Sequence, residues 1–132
     1  MNDHKISWYS MTPELALQEH ESVAFNRAIE IVDDYMTRSS QPFKTGENAI
    51  AATLFGFSRS TQEFIEICVH GPSKISYKFE SPDRNVAWFL KPWKGVFSHQ
   101  EELRSRAELV QRVEEFFLQT PNEILQRIKR QK

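Results

Sequence analysis

Apolar and polar residues alternate with a period of two in the middle of the chain. Residues 63–70 and 74–80 each place an apolar side chain at every second position, which is typical of strands buried on one face. The alternating apolar positions are Ile65, Ile67, Val69, Ile75, Tyr77 and Phe79. Gly71 and Pro72 interrupt the pattern, so the two segments are predicted to form an antiparallel hairpin.

A turn centred on residues 71–73 sets the register of this hairpin. The predicted cross-strand pairs are Val69–Ile75, Ile67–Tyr77 and Glu66–Lys78. This register keeps the apolar side chains on one face. It also places opposite charges across the other face, where such a pair is worth about 0.2–1 kcal/mol.

Two further segments, residues 48–57 and 86–93, are predicted to be strands. In the second segment Trp88 shares one side of the chain with Val86 and Leu90, so we expect Trp88 to lie in the core.

The other side of the segment 86–93 is both aromatic and basic. Pro92 cannot donate a ladder hydrogen bond, which predicts that the strand lies near an edge of the sheet or near its own end. The candidate exposed contacts in and beside this segment are Phe89, Lys91, Trp93 and Lys94.

Helical patterns lie before the strands. Residues 10–42 contain a predicted helix in which Thr12 is the cap and Pro13 the first helical residue. Its apolar stripe, at spacings of three and four, consists of Phe25, Ala28, Ile29, Val32 and Met36. Serine, proline and glycine together predict a loop over residues 39–48.

Two capping signals lie after the strands. Ser98 with Glu101 resembles a capping box, and Thr120 with Glu123 resembles a second one, so a helix is predicted to begin at each. The predicted fold is therefore a single α+β domain over residues 1–132. It has an N-terminal helix, about four antiparallel strands and two C-terminal helices in two layers.

The sheet face away from the helices is predicted to be mixed in character. Its expected members are Phe64, Glu66, Cys68, His70, Ser76, Lys78, Phe89 and Lys91. Such a surface is too polar for a second core layer and too aromatic for an ordinary solvated face, which favours contact with another protein. The alternative is that the N-terminal segment, with Ile6, Trp8 and Tyr9, folds over it.

Composition and charge limit the classes of protein to which this chain can belong. The 132 residues have a net charge of −1, but residues 1–47 carry four basic and eight acidic side chains. No apolar run approaches the roughly 18 residues that a spanning helix needs. The N-terminus lacks a basic start followed by an apolar stretch, and Cys68 is the single cysteine. We therefore expect a cytoplasmic protein without disulfides or a membrane segment.

Candidate chemistry is sparse. The four histidines lie far apart and the four glycines are never clustered, so neither a metal, a cofactor nor a nucleotide site is predicted. Cys68 and His70 share a strand face and can form a thiol–imidazole pair, but any alternating strand places residues two apart on one face. Asp33 and Asp34 have no identifiable catalytic partner. We therefore predict no catalytic residues.

The leading hypothesis is a non-enzymatic protein-binding domain with a basic partner. The acidic side chains assigned to the first helix are Glu14, Glu19, Glu21, Glu30, Asp33 and Asp34. The predicted partner contacts are Phe89, Lys91, Trp93, Lys94, Asp33, Asp34, Glu66 and Lys78. In size and charge layout the chain resembles small immunity proteins that neutralise nucleic-acid-cleaving toxins. A secretion-chaperone-like α+β domain shares most of these features.

Two other classes stay open. One is a small-molecule-binding domain or enzyme with a pocket between helix and sheet. The other is a single-stranded nucleic-acid binder that uses the aromatic and lysine residues around Trp93, helped by the basic residues of 127–132. The sequence pI of about 6.4 argues against nucleic acid, because binding driven by the phosphate backbone needs a basic surface.

Overall fold

An antiparallel sheet with helices on one side forms the framework of the protein. The computed structural model describes residues 6–12, 14, 16–39, 53–60, 63–71, 73–82 and 96–130. The elements within these residues are β1 (Ser7–Met11), β2 (Leu17–Ser22), α1 (Phe25–Ser39), β3 (Leu54–Ser60), β4 (Glu63–Gly71), β5 (Lys74–Pro82), β6 (Val96–Leu103), α2 (Arg106–Leu118) and α3 (Pro121–Arg130). The strand order is β2-β1-β3-β4-β5-β6, and all neighbours are antiparallel. The α+β class is confirmed, with six strands where about four were predicted.

The core lies between the sheet and the helices. The alternating apolar residues of β4 and β5 are buried, as predicted, with Tyr77 only 2% exposed. Helix α1 packs against β4 and α2, and α3 packs against α2. The buried side of α1 is formed by Ala28, Ile31, Val32 and Tyr35. The sheet therefore has one apolar face, which the helices cover.

The predicted hairpin register is confirmed at every predicted pair. Val69 lies opposite Ile75, and Glu66 lies opposite Lys78. The ion pair differs, however, because the Lys78 ammonium lies 2.8 Å from a carboxylate oxygen of Glu80 on the same strand.

The prediction of an N-terminal helix is wrong for its first half, which forms strands instead. The backbone N–H of Thr12 donates to the carbonyl of Ala16 at 2.8 Å, and the Thr12 hydroxyl accepts from Ala16 N–H at 3.1 Å. A residue expected to cap a helix thus closes the β1–β2 hairpin, and α1 begins only at Phe25. The idea that the N-terminal segment folds over the sheet is also wrong for Ser7–Met11, which lies within the sheet between β2 and β3.

The helix predicted from Ser98 and Glu101 is also wrong, because these residues belong to β6. His99, Glu101 and Leu103 are partly or fully buried, whereas the residues between them are exposed, as in a strand with one covered face. The helix starts later, where the Ser105 hydroxyl accepts from Glu108 N–H at 3.2 Å.

The last capping signal is confirmed. The Glu123 carboxylate accepts from Thr120 N–H at 2.8 Å, and the Thr120 hydroxyl accepts from Glu123 N–H at 3.2 Å. This reciprocal pair begins α3. The strand predicted over residues 86–93, with Trp88 in it, and loop residues 40–48 lie outside the described residues.

Candidate functional site

The sheet surface away from the helices is the candidate site, and no described helix covers it. We call it the open face. Its members, set by the strand register and by the alternation of burial, are Tyr9, Phe64, Glu66, Cys68, His70, Ser76, Lys78, Glu80, Gln100 and Glu102. Six of these were predicted from the sequence, from Phe64 to Lys78. Phe89 and Lys91, the other predicted members, lie outside the described residues, as do Trp93 and Lys94.

An aromatic pair lies on the open-face side of the sheet, where Tyr9 is buried, with 7% of its surface exposed, and Phe64 is half-buried. The ring of Tyr9 lies over Gly56, and its hydroxyl donates to the carbonyl of Ile65 at 2.8 Å. Phe64 meets Tyr9 edge-on, with 6.5 Å between ring centroids. Burial, followed by the charges of Glu66 and Glu80, raises the pKa of Tyr9 well above its ordinary value. The hydroxyl therefore stays protonated and holds the ring in place.

A shallow depression of about 370 Å³ lies beside this pair. Its polar lining side chains come from three neighbouring strands: Glu66, Cys68, Ser76, Lys78, Gln100 and Glu102. The register brings Glu66, Lys78 and Gln100 into one row across the sheet. The sheet thus gathers polar residues distant in sequence around one depression.

The charges of the depression are not balanced. Lys78 is held by Glu80, which is the main cause of the raised pKa of Lys78, and its ammonium lies 6.0 Å from the centroid of the Phe64 ring. Glu66 and Glu102 make no ion pair with any other described residue. The open face therefore offers two carboxylates that can receive cations from outside.

The thiol–imidazole pair suggested by Cys68 and His70 does not form among the described contacts. The Cys68 sulfur lies 3.6 Å from the Thr53 hydroxyl, while His70 Nε2 lies 2.9 Å from the Ser76 hydroxyl. Burial raises the pKa of the Cys68 thiol, which opposes the deprotonation that a nucleophile needs.

The predicted acidic helix surface is divided between two elements. Glu19 and Glu21 lie on β2, whereas Asp33 and Asp34 lie on α1, on the other side of the sheet from Glu66. Asp33 accepts two hydrogen bonds from Arg106, at 2.5 and 3.1 Å, and these lower the pKa of its carboxyl. Asp34 pairs with Arg38 at 2.9 Å. The structure therefore does not bring Asp33 and Asp34 together with Glu66 and Lys78, the other predicted contacts among the described residues.

A second polar cluster lies on the helix side of the sheet, below α2 and α3. Glu101 accepts from Arg112 at 3.2 Å and lies 2.9 Å from His99 Nε2. Glu115 accepts from Arg127 at 2.9 Å. Tyr77 reaches the same region, where burial and then the charges of Glu115 and Glu101 raise its pKa. The Glu101–Arg112 pair therefore joins α2 to β6, and the Glu115–Arg127 pair joins α2 to α3.

The ion pair of Glu101 with Arg112 predicts that the folded protein becomes less stable in acid. Burial alone would raise the pKa of Glu101, but the hydrogen bonds from Arg112 and His99 hold it below its usual value. A lowered pKa in the folded state stabilises the fold above the ordinary carboxyl pKa of about 4.3, and the contribution is lost as pH falls. Urea denaturation at pH 7 and at pH 3 should show that the free energy of unfolding falls less for Glu101→Gln than for the wild type. Equal losses would contradict this role.

Neither a metal site nor a membrane span is found in the described part of the chain. None of its groups of histidine, cysteine and carboxylate side chains is arranged to hold a metal ion. None of its helices is both long and apolar enough to cross a bilayer. Comparisons with protein-family models, curated proteins and solved structures find no match.

Proposed function

We propose that the protein is a non-enzymatic binding domain that holds a basic partner protein on its open face. The observation that carries this proposal is that two carboxylates, Glu66 and Glu102, line one depression and form no salt bridge with another described residue. Glu66 lies two residues from Phe64 on the same face of β4. Aromatic side chains supply contact area at interfaces, and complementary charge selects the partner.

The chemistry of the partner follows from this arrangement. A lysine or arginine side chain that enters the depression meets Glu66 and Glu102, while its aliphatic part can pack on Phe64. Carboxylates without a partner in the free protein lose their hydration on binding, and a cation restores the lost interaction. In size and charge layout the chain resembles immunity proteins, so a nucleic-acid-cleaving toxin is the class of basic partner that we propose.

The other predicted contacts keep a role in this proposal. Phe89, Lys91, Trp93 and Lys94 are proposed to contact the same partner, as their sequence pattern predicts. Because Asp33 and Asp34 are already paired, their contribution is limited to long-range attraction.

Charge reversal on the open face tests the proposal. The protein is immobilised as wild type, as Glu66→Lys/Glu102→Lys, and as the control Glu30→Lys/Glu114→Lys, whose residues are exposed on α1 and α2. Proteins captured from the source cell are identified and their affinities measured. We expect a basic partner whose affinity falls about tenfold or more with the open-face variant, because like charges oppose each other across an interface.

The control carries the same change of net charge, so it separates local contact from overall attraction. It should bind within about threefold of the wild type, because distant exposed charges are screened. A captured partner that is not basic, or one that binds the open-face variant as tightly as the wild type, would contradict the proposal.

A further inference from the structure

An exposed strand, β2, forms one edge of the sheet. β2 is the outermost strand at this edge, and no described strand pairs with its outer side. All its residues except His20 are exposed, and Leu17 is 60% exposed. An uncovered strand edge presents a row of backbone donors and acceptors that can pair with an incoming strand.

The hairpin geometry identifies the backbone groups that point outward. Thr12 N–H bonds to the Ala16 carbonyl at 2.8 Å, and hydrogen-bonded pairs alternate with non-bonded pairs along an antiparallel ladder. Leu17 and Glu19 lie opposite Met11 and Tyr9 at the non-bonded positions. The N–H and C=O groups of Leu17 and Glu19 therefore face the free edge.

Side-chain contacts fix β2 to β1 from the helix side of the sheet. The ring of His20 stacks on Trp8 with 3.9 Å between centroids, and His20 Nε2 lies 2.7 Å from the Ser10 hydroxyl. These contacts order the strand without using its outer edge.

The charge of this edge indicates which kind of strand can pair with β2. Residues 6–26 contain three glutamates, Glu14, Glu19 and Glu21, and neither lysine nor arginine. Glu19 and Glu21 make no ion pair with any other described residue. A second copy of β2 would bring glutamate against glutamate, which is unfavourable across paired strands. An extended segment rich in lysine or arginine meets no such repulsion.

We propose that an extended basic segment of the partner adds to β2 as a seventh strand. Its backbone pairs with Leu17 and Glu19, and a cationic side chain of the added strand faces Glu19. The irregularity in the β1–β2 register between Glu19 and Ser22 leaves Glu21 beyond this regular pairing. This proposal rests on the proposed function, since Glu19 lies opposite Tyr9 and so continues the open face to the sheet edge. The mode of recognition is strand addition, in which backbone bonds give affinity and alternate side chains give specificity.

Two synthetic peptides test strand addition to the full-length protein. The first is a ten-residue peptide that alternates lysine with valine; the second has proline in place of each valine and therefore the same charge without strand-forming capacity. Binding is measured by fluorescence anisotropy, and amide hydrogen exchange is followed by NMR. We expect the lysine–valine peptide to bind at least about tenfold more tightly and to slow exchange at Leu17 and Glu19 at least about tenfold.

Charge variants complete the test. Glu19→Gln/Glu21→Gln should weaken binding of the lysine–valine peptide several-fold, and Glu30→Gln/Glu114→Gln should leave it unchanged. Equal binding of the two peptides, the absence of binding at millimolar peptide, or binding without slower exchange at Leu17 and Glu19 would each overturn strand addition. If binding instead depends only on Glu66 and Glu102, strand addition fails while the proposed function of the open face stands.

Discussion

Replacing Arg59 by methionine is expected to lower the free energy of unfolding by about 1–3 kcal/mol, the range for leaving largely buried hydrogen-bonding groups without their partner. The Arg59 side chain is only 11% exposed, and it lies 2.8 Å from a carboxylate oxygen of Glu63. It also donates to the carbonyls of Phe116 and Gln119, at 2.5 and 3.1 Å, where α2 ends. Its loss leaves the Glu63 charge and the end of α2 without these partners.

An exposed arginine provides the matched control for Arg59. Arg27 pairs with Glu30 at 3.2 Å on α1, with side chains 53% and 69% exposed. Arg27→Met should cost less than about 1 kcal/mol, as for other surface ion pairs. Urea denaturation of both variants decides the matter, and a loss for Arg59→Met no greater than that for Arg27→Met would contradict the role of Arg59.

Replacing Gly56 by alanine is expected to cost about 1–3 kcal/mol, the range for overfilling a packed site. A Cβ atom on Gly56 would overlap both the ring of Tyr9 and the carbonyl oxygen of Ile65. Since Ile65 O is backbone, shortening Tyr9 in the double variant Gly56→Ala/Tyr9→Ala should not restore stability. The displaced Tyr9 ring would also change the shape of the open face.

Gly71 is the matched control, because a Cβ atom there meets nothing within 4 Å. Gly71→Ala should change the thermal unfolding midpoint little, whereas Gly56→Ala should lower it by several degrees. Equal midpoints for the two variants would show that Tyr9 does not pack on Gly56 as described.

The centre of the sheet was predictable because its residues are buried on one face only. Ile65, Ile67 and Ile75 must all point towards the helices, so a shift of one residue would expose the whole set. The short turn at Gly71 then leaves one register that satisfies both strands. These constraints are local in sequence, and the predicted pairs are therefore found, with an irregularity in register only next to the turn, between Val69 and Gly71.

The sheet edges were not predictable by the same argument. β2 is exposed on nearly every residue, so burial imposes no alternation on Leu17–Ser22. Thr12 and Ser98 both match helix-capping patterns, but pairing with β1 and β5 places the residues that follow them in strands. A capping pattern reports the hydrogen-bonding capacity of a side chain, whereas tertiary pairing decides the backbone conformation around it.

Part of the open face was predictable, because it follows from the register of the central hairpin. Glu66 and Lys78 follow from the hairpin register, but Glu102 follows only once β6 is known to be a strand. Tyr9 entered the sequence analysis only through the alternative of a covering segment, because its place over Gly56 depends on pairing between distant residues. A glycine within an otherwise apolar strand was the available signal, since it marks a close approach by another group.

Alkylation of Cys68 in the presence of the captured partner tests the central claim most directly. Cys68 is the only cysteine of the chain and lines the depression between Glu66 and Ser76. A partner seated on the open face should slow its reaction with an uncharged maleimide at least about tenfold, because interface cores exclude solvent. The control Cys68→Ser/Glu114→Cys places the thiol on α2 and should react at the same rate with or without partner. An unchanged rate at Cys68 at saturating partner concentration would contradict binding at the open face.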